Sequence, residues 1–149
     1  MINTRWRARV AAPFGHFHRV IQMVPNLLVT DDDTALRRSL CEALSRSGFR
    51  VHEAGDGDEA LRLLEVTPVH FALVDVHMPR VTGLEVLQRL ADLPHRPTCA
   101  LMSAELDDKI VAEARRWAAY RILSKPIRLH AIRQLVHGAL EEVYGWKSA

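Results

Sequence analysis

Short apolar runs and longer stretches of helical periodicity alternate along the chain, five times over. The runs, each bounded by a turn or a helix breaker, predict β-strands. Between them, apolar residues recur every three to four positions, which predicts helices. The predicted strands are residues 26–30, 49–54, 71–75, 98–102 and 121–124. The predicted helices run from Thr34, as an N-cap, to Gly48, then over 58–66, 84–90 and 107–119, and from Leu129 to Val143.

Strict alternation of strand and helix predicts an α/β fold with a parallel sheet and helices on both of its faces. The third strand is the most apolar, since four apolar residues run directly into Asp75, and this pattern is typical of a buried central strand. The second strand is short and polar, which suits the edge of a sheet. In such a fold the carboxyl ends of the strands share one edge, where ligands bind.

Composition is ordinary for a single globular domain of 149 residues. No apolar stretch is long enough to span a bilayer, so no membrane partner is expected. Cys41 and Cys99 have no metal-type spacing, and we interpret both as buried apolar side chains. Nothing in the sequence requires an oxidising compartment, so a cytoplasmic location is expected.

The net charge of +2 is unevenly distributed. Residues 1–24 contain four arginines and no acid, so the remaining chain is net acidic. The basic pI therefore gives no reason to expect nucleic acid on the folded body. We interpret residues 1–24 as a flexible extension. It has no role, or serves as a basic arm for nucleic acid or acidic lipid, or as an amphipathic partner segment.

Chemically active side chains follow four of the five predicted strands. Asp31 and Asp32 follow the first, Asp75 ends the third, Ser103 follows the fourth and Lys125 follows the fifth. Three close carboxylates repel one another and need a cation, and an all-oxygen site suits Mg²⁺. A carboxylate oxygen of Asp75 could then attack a phosphoryl group. Mg²⁺ and Lys125 would neutralise charge, and the Ser103 hydroxyl would donate to a phosphoryl oxygen.

Four stretches together resemble the receiver domain of two-component response regulators: LLVTDDD (27–33), LVDVHMPRVTGLEVL (73–87), ALMSA (100–104) and SKPI (124–127). The resemblance covers roughly residues 25–145, and we assign the receiver to 25–146. It implies a flavodoxin-like three-layer α/β/α fold, with a five-stranded parallel sheet in the order 2-1-3-4-5 and five helices.

The resemblance also implies a role for each site residue. Asp75 matches the phospho-accepting aspartate, Ser103 the switch hydroxyl, and Lys125 the lysine that contacts the phosphoryl group. Asp31 and Asp32 match the acidic pair that holds Mg²⁺, with Asp32 as the more direct ligand. Asp75 and the backbone carbonyl of His77 would complete the metal site.

Two departures from the family pattern affect these expectations. Ile122 stands where the family usually has an aromatic residue that rotates inward on activation, so any switch must use backbone and helix movement instead. Tyr120 would share the face of Ile122 if the strand extended that far, and the large Trp117 is expected to be core. His77 and Glu105 lie two residues beyond Asp75 and Ser103, where they either tune phosphate lifetime or simply face solvent.

The favoured hypothesis is a stand-alone phosphorylation switch without an output domain, phosphorylated by a histidine kinase or phosphotransfer protein. It would act on an unidentified effector, or by homodimerisation, through the face of helix 4, strand 5 and helix 5. A binding module that has lost the chemistry is the alternative. A phosphohydrolase is less favoured, because its usual second carboxylate is replaced by His77.

Overall fold

The computed structural model describes residues 23–148 and consists of five strands that alternate with five helices. The strands are β1 (Asn26–Thr30), β2 (Arg50–Ala54), β3 (Phe71–Asp75), β4 (Thr98–Ser103) and β5 (Arg121–Ser124). The helices are α1 (Thr34–Arg46), α2 (Gly57–Val66), α3 (Gly83–Leu90), α4 (Asp108–Arg116) and α5 (Leu129–Tyr144). The predicted N-terminal extension lies almost entirely outside the described residues.

The strands form one parallel sheet in the order β2-β1-β3-β4-β5, and helices cover both of its faces. This confirms the expected flavodoxin-like three-layer architecture. The polar strand β2 lies at an edge, as predicted, whereas every residue of β3 is buried. The position of β3 between β1 and β4 places its carboxyl end, Asp75, at the middle of one edge of the sheet.

Alternate residues of the strands divide the hydrophobic core into two layers. Leu28, Val74, Leu101 and Ile122 point toward α2, α3 and α4, while Val29, Leu73 and Leu123 point toward α1 and α5; this follows from the period of two along a strand. Each helix contributes one apolar stripe. In α5 the stripe begins at Ile132, whereas Leu129, the first residue of the predicted helix, is 37% exposed because it lies at the first position of α5.

Helix α1 is capped by Asp33 instead of Thr34. The Asp33 carboxylate accepts a hydrogen bond from the backbone N–H of Leu36, and Thr34 is already the first helical residue. Aspartate and threonine are both good N-caps, so the sequence offered two candidates one position apart.

Helix α4 ends at Arg116, three residues earlier than predicted. Trp117 caps the helix and Ala118 adopts a left-handed conformation with φ 59°, which turns the chain toward β5. The Arg96 guanidinium donates to the carbonyl oxygen of Trp117 and helps to hold this turn. Apolar periodicity continues through Ala118 and Ala119, so it does not reveal the turn.

We expect Ala118→Gly to raise the free energy of unfolding by up to about 1 kcal/mol. A left-handed conformation is strained for alanine but not for glycine, and the larger entropy of glycine in the unfolded chain offsets part of the gain. Urea unfolding of the two proteins would measure the difference. A variant less stable than the parent would show that the alanine methyl contributes more through packing than it costs in backbone strain.

Both described ends of the chain meet at the amino edge of the sheet. The Trp146 indole N–H donates to the carbonyl oxygen of Met23 (3.1 Å), and the ring packs on Phe49 and His137. The Tyr144 hydroxyl donates to the carbonyl oxygen of His70, just before β3. This cluster closes the end of the fold opposite the carboxyl edge.

Cys41 and Cys99 are buried free thiols, as interpreted from the sequence. Burial is the largest cause that raises the pKa of Cys41 to about 11 and the pKa of Cys99 to about 12, so neither is a reactive thiolate at neutral pH. In the part of the chain that the structure covers, no helix combines the length and apolar character needed to cross a bilayer.

Candidate functional site

Three aspartates come together at the carboxyl edge of the sheet. Asp31 and Asp32 follow β1 and Asp75 ends the neighbouring strand β3, so parallel pairing of the two strands brings their ends side by side. One carboxylate oxygen from each residue lies within 4.8 Å of the others. Asp31 and Asp75 are buried, and Asp32 is exposed. The cluster predicted from the sequence is therefore formed, with its exposed member at the entrance.

Lys125 reaches the cluster from the end of β5. Its Nζ lies 2.9 Å from Oδ2 of Asp31 and 3.3 Å from Oδ1 of Asp75. Its backbone N–H donates to the carbonyl oxygen of Ser103 (2.8 Å), which fixes the start of the loop after β5. Burial lowers the pKa of Lys125, but hydrogen bonds and charge attraction to the two aspartates outweigh it, so the pKa is raised overall. Lys125 is thus a cation at neutral pH.

The Asp75 carboxyl is held in an unfavourable electrostatic environment. Burial, followed by repulsion from Asp31, raises its pKa to about 6, although Lys125 and the backbone N–H of His77 act in the opposite direction. A buried carboxylate whose pKa is shifted by burial and by a neighbouring charge is typical of a functional site.

Ser103 is fully buried at the end of β4, and its hydroxyl forms hydrogen bonds with two other residues. Its Oγ donates to the carbonyl oxygen of Glu105 (2.5 Å) and accepts the Glu105 backbone N–H (3.1 Å). The Nε2 of His77 lies 3.1 Å from the same oxygen. His77 is exposed, as one of our two interpretations held, but its ring also contacts Ser103, which the sequence did not predict.

Arg37 is a site residue that the sequence analysis missed. From α1, its guanidinium donates to the backbone carbonyl oxygen of Asp31 (2.8 Å) and pairs with Glu53 on β2 (3.1 Å). Arg37 therefore ties the loop that carries Asp31 and Asp32 to the edge strand. Its position one helical turn after the acidic run was the available signal, but its partner on β2 depends on the pairing of β1 with β2.

The region around β5 differs partly from expectation. Ile122 is fully buried and packs in the core layer of α2, α3 and α4. Strand β5 does not reach Tyr120, which packs in the opposite layer, and its hydroxyl donates to Glu142. Tyr120 is therefore not positioned to replace the missing aromatic residue. Trp117 is partly buried against the same layer as Ile122, which agrees with the core interpretation.

The acidic cluster fits a hard divalent cation. Carboxylate oxygens are the ligands that Mg²⁺ prefers, and it usually retains several waters, for which the exposed side of Asp32 leaves room. The cluster brings three carboxylates next to one lysine, so a bound cation would balance negative charge that Lys125 leaves.

The family model for the response regulator receiver domain matches residues 27–137. The chain belongs to this family, whose members are signalling domains of two-component systems, and the resemblance inferred from the sequence is confirmed. Receiver domains generally bind Mg²⁺ at an acidic pocket, and the aspartate cluster has the composition of such a pocket.

Individual relatives agree with this assignment. The chain is 29% identical over 122 residues to a probable chemotaxis protein CheY of Rhizobium etli, covering 80% of this chain and 92% of that protein. It is 30% identical over 118 residues to the regulatory protein AtoC of Escherichia coli, covering 79% of this chain but only 26% of AtoC. The chain therefore spans nearly all of one relative and about a quarter of the other.

Solved structures show the same fold. A CheY-like receiver domain protein from Methanospirillum hungatei superposes with a TM-score of 0.79 at 22% identity, over 83% of this chain and 98% of that one. A response regulator protein from Burkholderia pseudomallei, solved with a phosphorylated aspartic acid and a calcium ion, gives 0.70 at 26% identity, over 81% and 71% of the two chains.

Proposed function

We propose that this chain is a phosphorylation switch that accepts a phosphoryl group on Asp75. The observation that carries the proposal is the meeting of Asp31, Asp32, Asp75 and Lys125 at one sheet edge, with Asp75 at its centre. The phosphorylated aspartic acid of the Burkholderia relative supports this chemistry. The donor would be a histidine kinase or a phosphotransfer protein in the cytoplasm.

Each residue has a defined part in the proposed transfer. A carboxylate oxygen of Asp75 attacks phosphorus, the bond from phosphorus to the donor breaks, and an acyl phosphate forms. Lys125, now paired with both buried aspartates, turns its ammonium toward the phosphoryl oxygens. The Ser103 hydroxyl leaves Glu105 and donates to one of those oxygens. Asp31, Asp32, Asp75 and the backbone carbonyl of His77 would hold Mg²⁺, which supplies charge neutralisation when bound.

The response would pass through the β4–α4 loop and the face formed by α4, β5 and α5. Ile122 is a buried aliphatic residue of the core, so the response relies on movement of Ser103, the backbone and α4 instead of ring rotation. We propose that the chain acts on a protein effector, or by homodimerisation, through this face. A phosphohydrolase is disfavoured, because the residue two positions after Asp75 is His77, whose Nε2 is bonded to Ser103.

Intact mass spectrometry tests this proposal. We expect incubation with a small acyl phosphate and Mg²⁺ to add one phosphoryl group, and a chelator to suppress the adduct by at least about tenfold, because charge neutralisation dominates phosphoryl transfer. The adduct should be labile to hydroxylamine, as an acyl phosphate is. A folded parent that binds Mg²⁺ and gives no adduct, even with a competent kinase, would favour the binding-module alternative.

A further inference from the structure

We infer that the His77 side chain is a positioning residue that holds the Ser103 hydroxyl in its resting orientation. This inference rests on the proposed function and adds a restraint on its switch. It starts from the 3.1 Å contact between Nε2 of His77 and Oγ of Ser103, which joins the loop after β3 to the end of β4.

The direction of this hydrogen bond follows from the other partners of Ser103. A serine hydroxyl has one hydrogen to donate and two lone pairs that accept. The hydrogen is directed to the carbonyl oxygen of Glu105, at 2.5 Å, and one lone pair accepts the Glu105 N–H. The remaining lone pair faces His77, so Nε2 carries a hydrogen and donates it. The hydroxyl thus has every hydrogen-bonding position filled.

The three bonds differ in origin. The two bonds to Glu105 are local and move with the loop that follows β4, whereas the bond to His77 comes from another loop. Ser103 is fully buried and His77 is exposed, so the imidazole lies at the surface above the hydroxyl. Among the residues that the structure describes, the His77 side chain therefore links the Ser103 hydroxyl to the segment that carries Asp75.

On this inference, movement of Ser103 toward a phosphoryl group on Asp75 separates its Oγ from Nε2 of His77, in addition to breaking the bond to the Glu105 carbonyl oxygen. Loss of one hydrogen bond before a new one forms raises the free energy of the intermediate arrangement. His77 therefore biases the unphosphorylated protein toward the resting orientation and slows its response. Its backbone carbonyl, the group proposed to bind Mg²⁺, is unaffected by a change of side chain.

Two substitutions separate the hydrogen bond from the bulk of the ring. His77→Phe keeps a ring but removes the donor, and His77→Gln keeps an N–H donor at similar reach. We expect His77→Phe to accelerate phosphorylation by acyl phosphate about threefold to tenfold, the range of one ordinary hydrogen bond. His77→Gln should restore a rate closer to that of the parent. His130→Phe makes the same exchange at an exposed site on α5 and serves as the control for it.

A double-mutant cycle gives the decisive comparison. In a Ser103→Ala background the His77→Phe substitution should no longer change the rate, because the hydroxyl that it releases is absent. Equal phosphorylation rates in the parent and in His77→Phe would overturn the inference. An acceleration that persists in the Ser103→Ala background would also overturn it, because the effect would then come from easier access of the acyl phosphate to Asp75.

A readout without phosphorylation tests the contact itself. His77→Phe should shift the backbone amide NMR signals of Ser103 and Glu105 in the unphosphorylated protein, and His77→Gln should shift them less; unchanged signals would overturn the inference. Failure of the parent to accept a phosphoryl group is a separate result that overturns the proposed function, and the restraint on its switch with it. If the parent is phosphorylated but His77→Phe changes neither the rate nor the signals, only the inference about His77 is overturned and the proposed function stands.

Discussion

Asp75→Asn is expected to abolish the phosphoryl adduct, with a loss of more than about a hundredfold relative to the parent. Asparagine keeps the shape of the side chain but replaces the attacking carboxylate with a weakly nucleophilic amide. Lys125 pairs with both Asp31 and Asp75, and Asp75 is the carboxylate of the cluster that lies at the end of the central strand β3. Intact mass after incubation with acyl phosphate and Mg²⁺ is the measurement.

Asp33→Asn is the matched control, since it makes the same chemical change two residues from Asp31. Asp33 caps α1, and asparagine caps helices equally well, so this variant should fold normally and keep the adduct. If Asp75→Asn formed as much phosphoryl adduct as the parent, another residue would be the acceptor and the assignment of Asp75 would be refuted.

The stability of the same variant provides an independent check. The folded-state pKa of Asp75 is raised from 3.8 to about 6 by burial and by Asp31, so the ionised carboxylate opposes folding at neutral pH. In Mg²⁺-free buffer, protonation should remove this penalty as the pH falls through 6, and the benefit should be complete below about 4. We expect Asp75→Asn to unfold at a higher temperature than the parent at pH 7.5, with the difference shrinking toward pH 5. A constant difference would contradict the raised pKa.

Gly83→Ala is expected to destabilise the fold by about 3 kcal/mol or more. A Cβ at this position would lie 2.2 Å from the carbonyl oxygen of Asp75 and 2.8 Å from Cα of Val76, both backbone atoms that cannot move aside cheaply. The Gly83 N–H also donates to the carbonyl oxygen of Val76 (2.9 Å), so α3 is closely packed on the segment after β3. Urea unfolding monitored by circular dichroism would measure the loss.

Gly138→Ala is the control for this substitution. Gly138 lies inside α5, nothing approaches its added Cβ within 4 Å, and its backbone is not left-handed. Alanine is the better helix former, so this variant should gain about 0.5–1 kcal/mol. A lower free energy of unfolding for Gly83→Ala and a higher one for Gly138→Ala would attribute the loss at Gly83 to the close approach of backbone atoms. A Gly83→Ala protein as stable as the parent would show that α3 can shift away from Asp75 without cost.

Local patterns predicted the elements best where a short apolar run ends in a polar residue. The bounds of β1, β3 and β5 agree with the sequence prediction, and parallel strands then bring Asp31, Asp32, Asp75 and Lys125 to one edge. Wherever a backbone conformation or a capping choice decided the boundary, as at Ala118 and Asp33, periodicity alone was insufficient.

Contacts between loops were not predictable from spacing. His77 and Ser103 are far apart in sequence, and their contact depends on side-chain rotamers in the loop after β3 and at the end of β4, which periodicity does not describe. The link from Arg37 to Glu53 likewise requires the register of β1 on β2. Tyr120 shows the same limit, since its packing depends on where β5 begins, which in turn depends on the turn at Ala118.

The hydrogen bond between Trp146 and Met23 holds these two residues on one side of the sheet, so a group attached to either residue would lie on that side. Both lie at the amino edge of the sheet, the side away from Asp75 and Lys125. A fluorescent label, a tag or a fused module at either position would leave the entrance to the acidic pocket clear for a large phosphoryl donor. A label at either position would report phosphorylation of Asp75 only if the structural change reached the opposite side of the sheet.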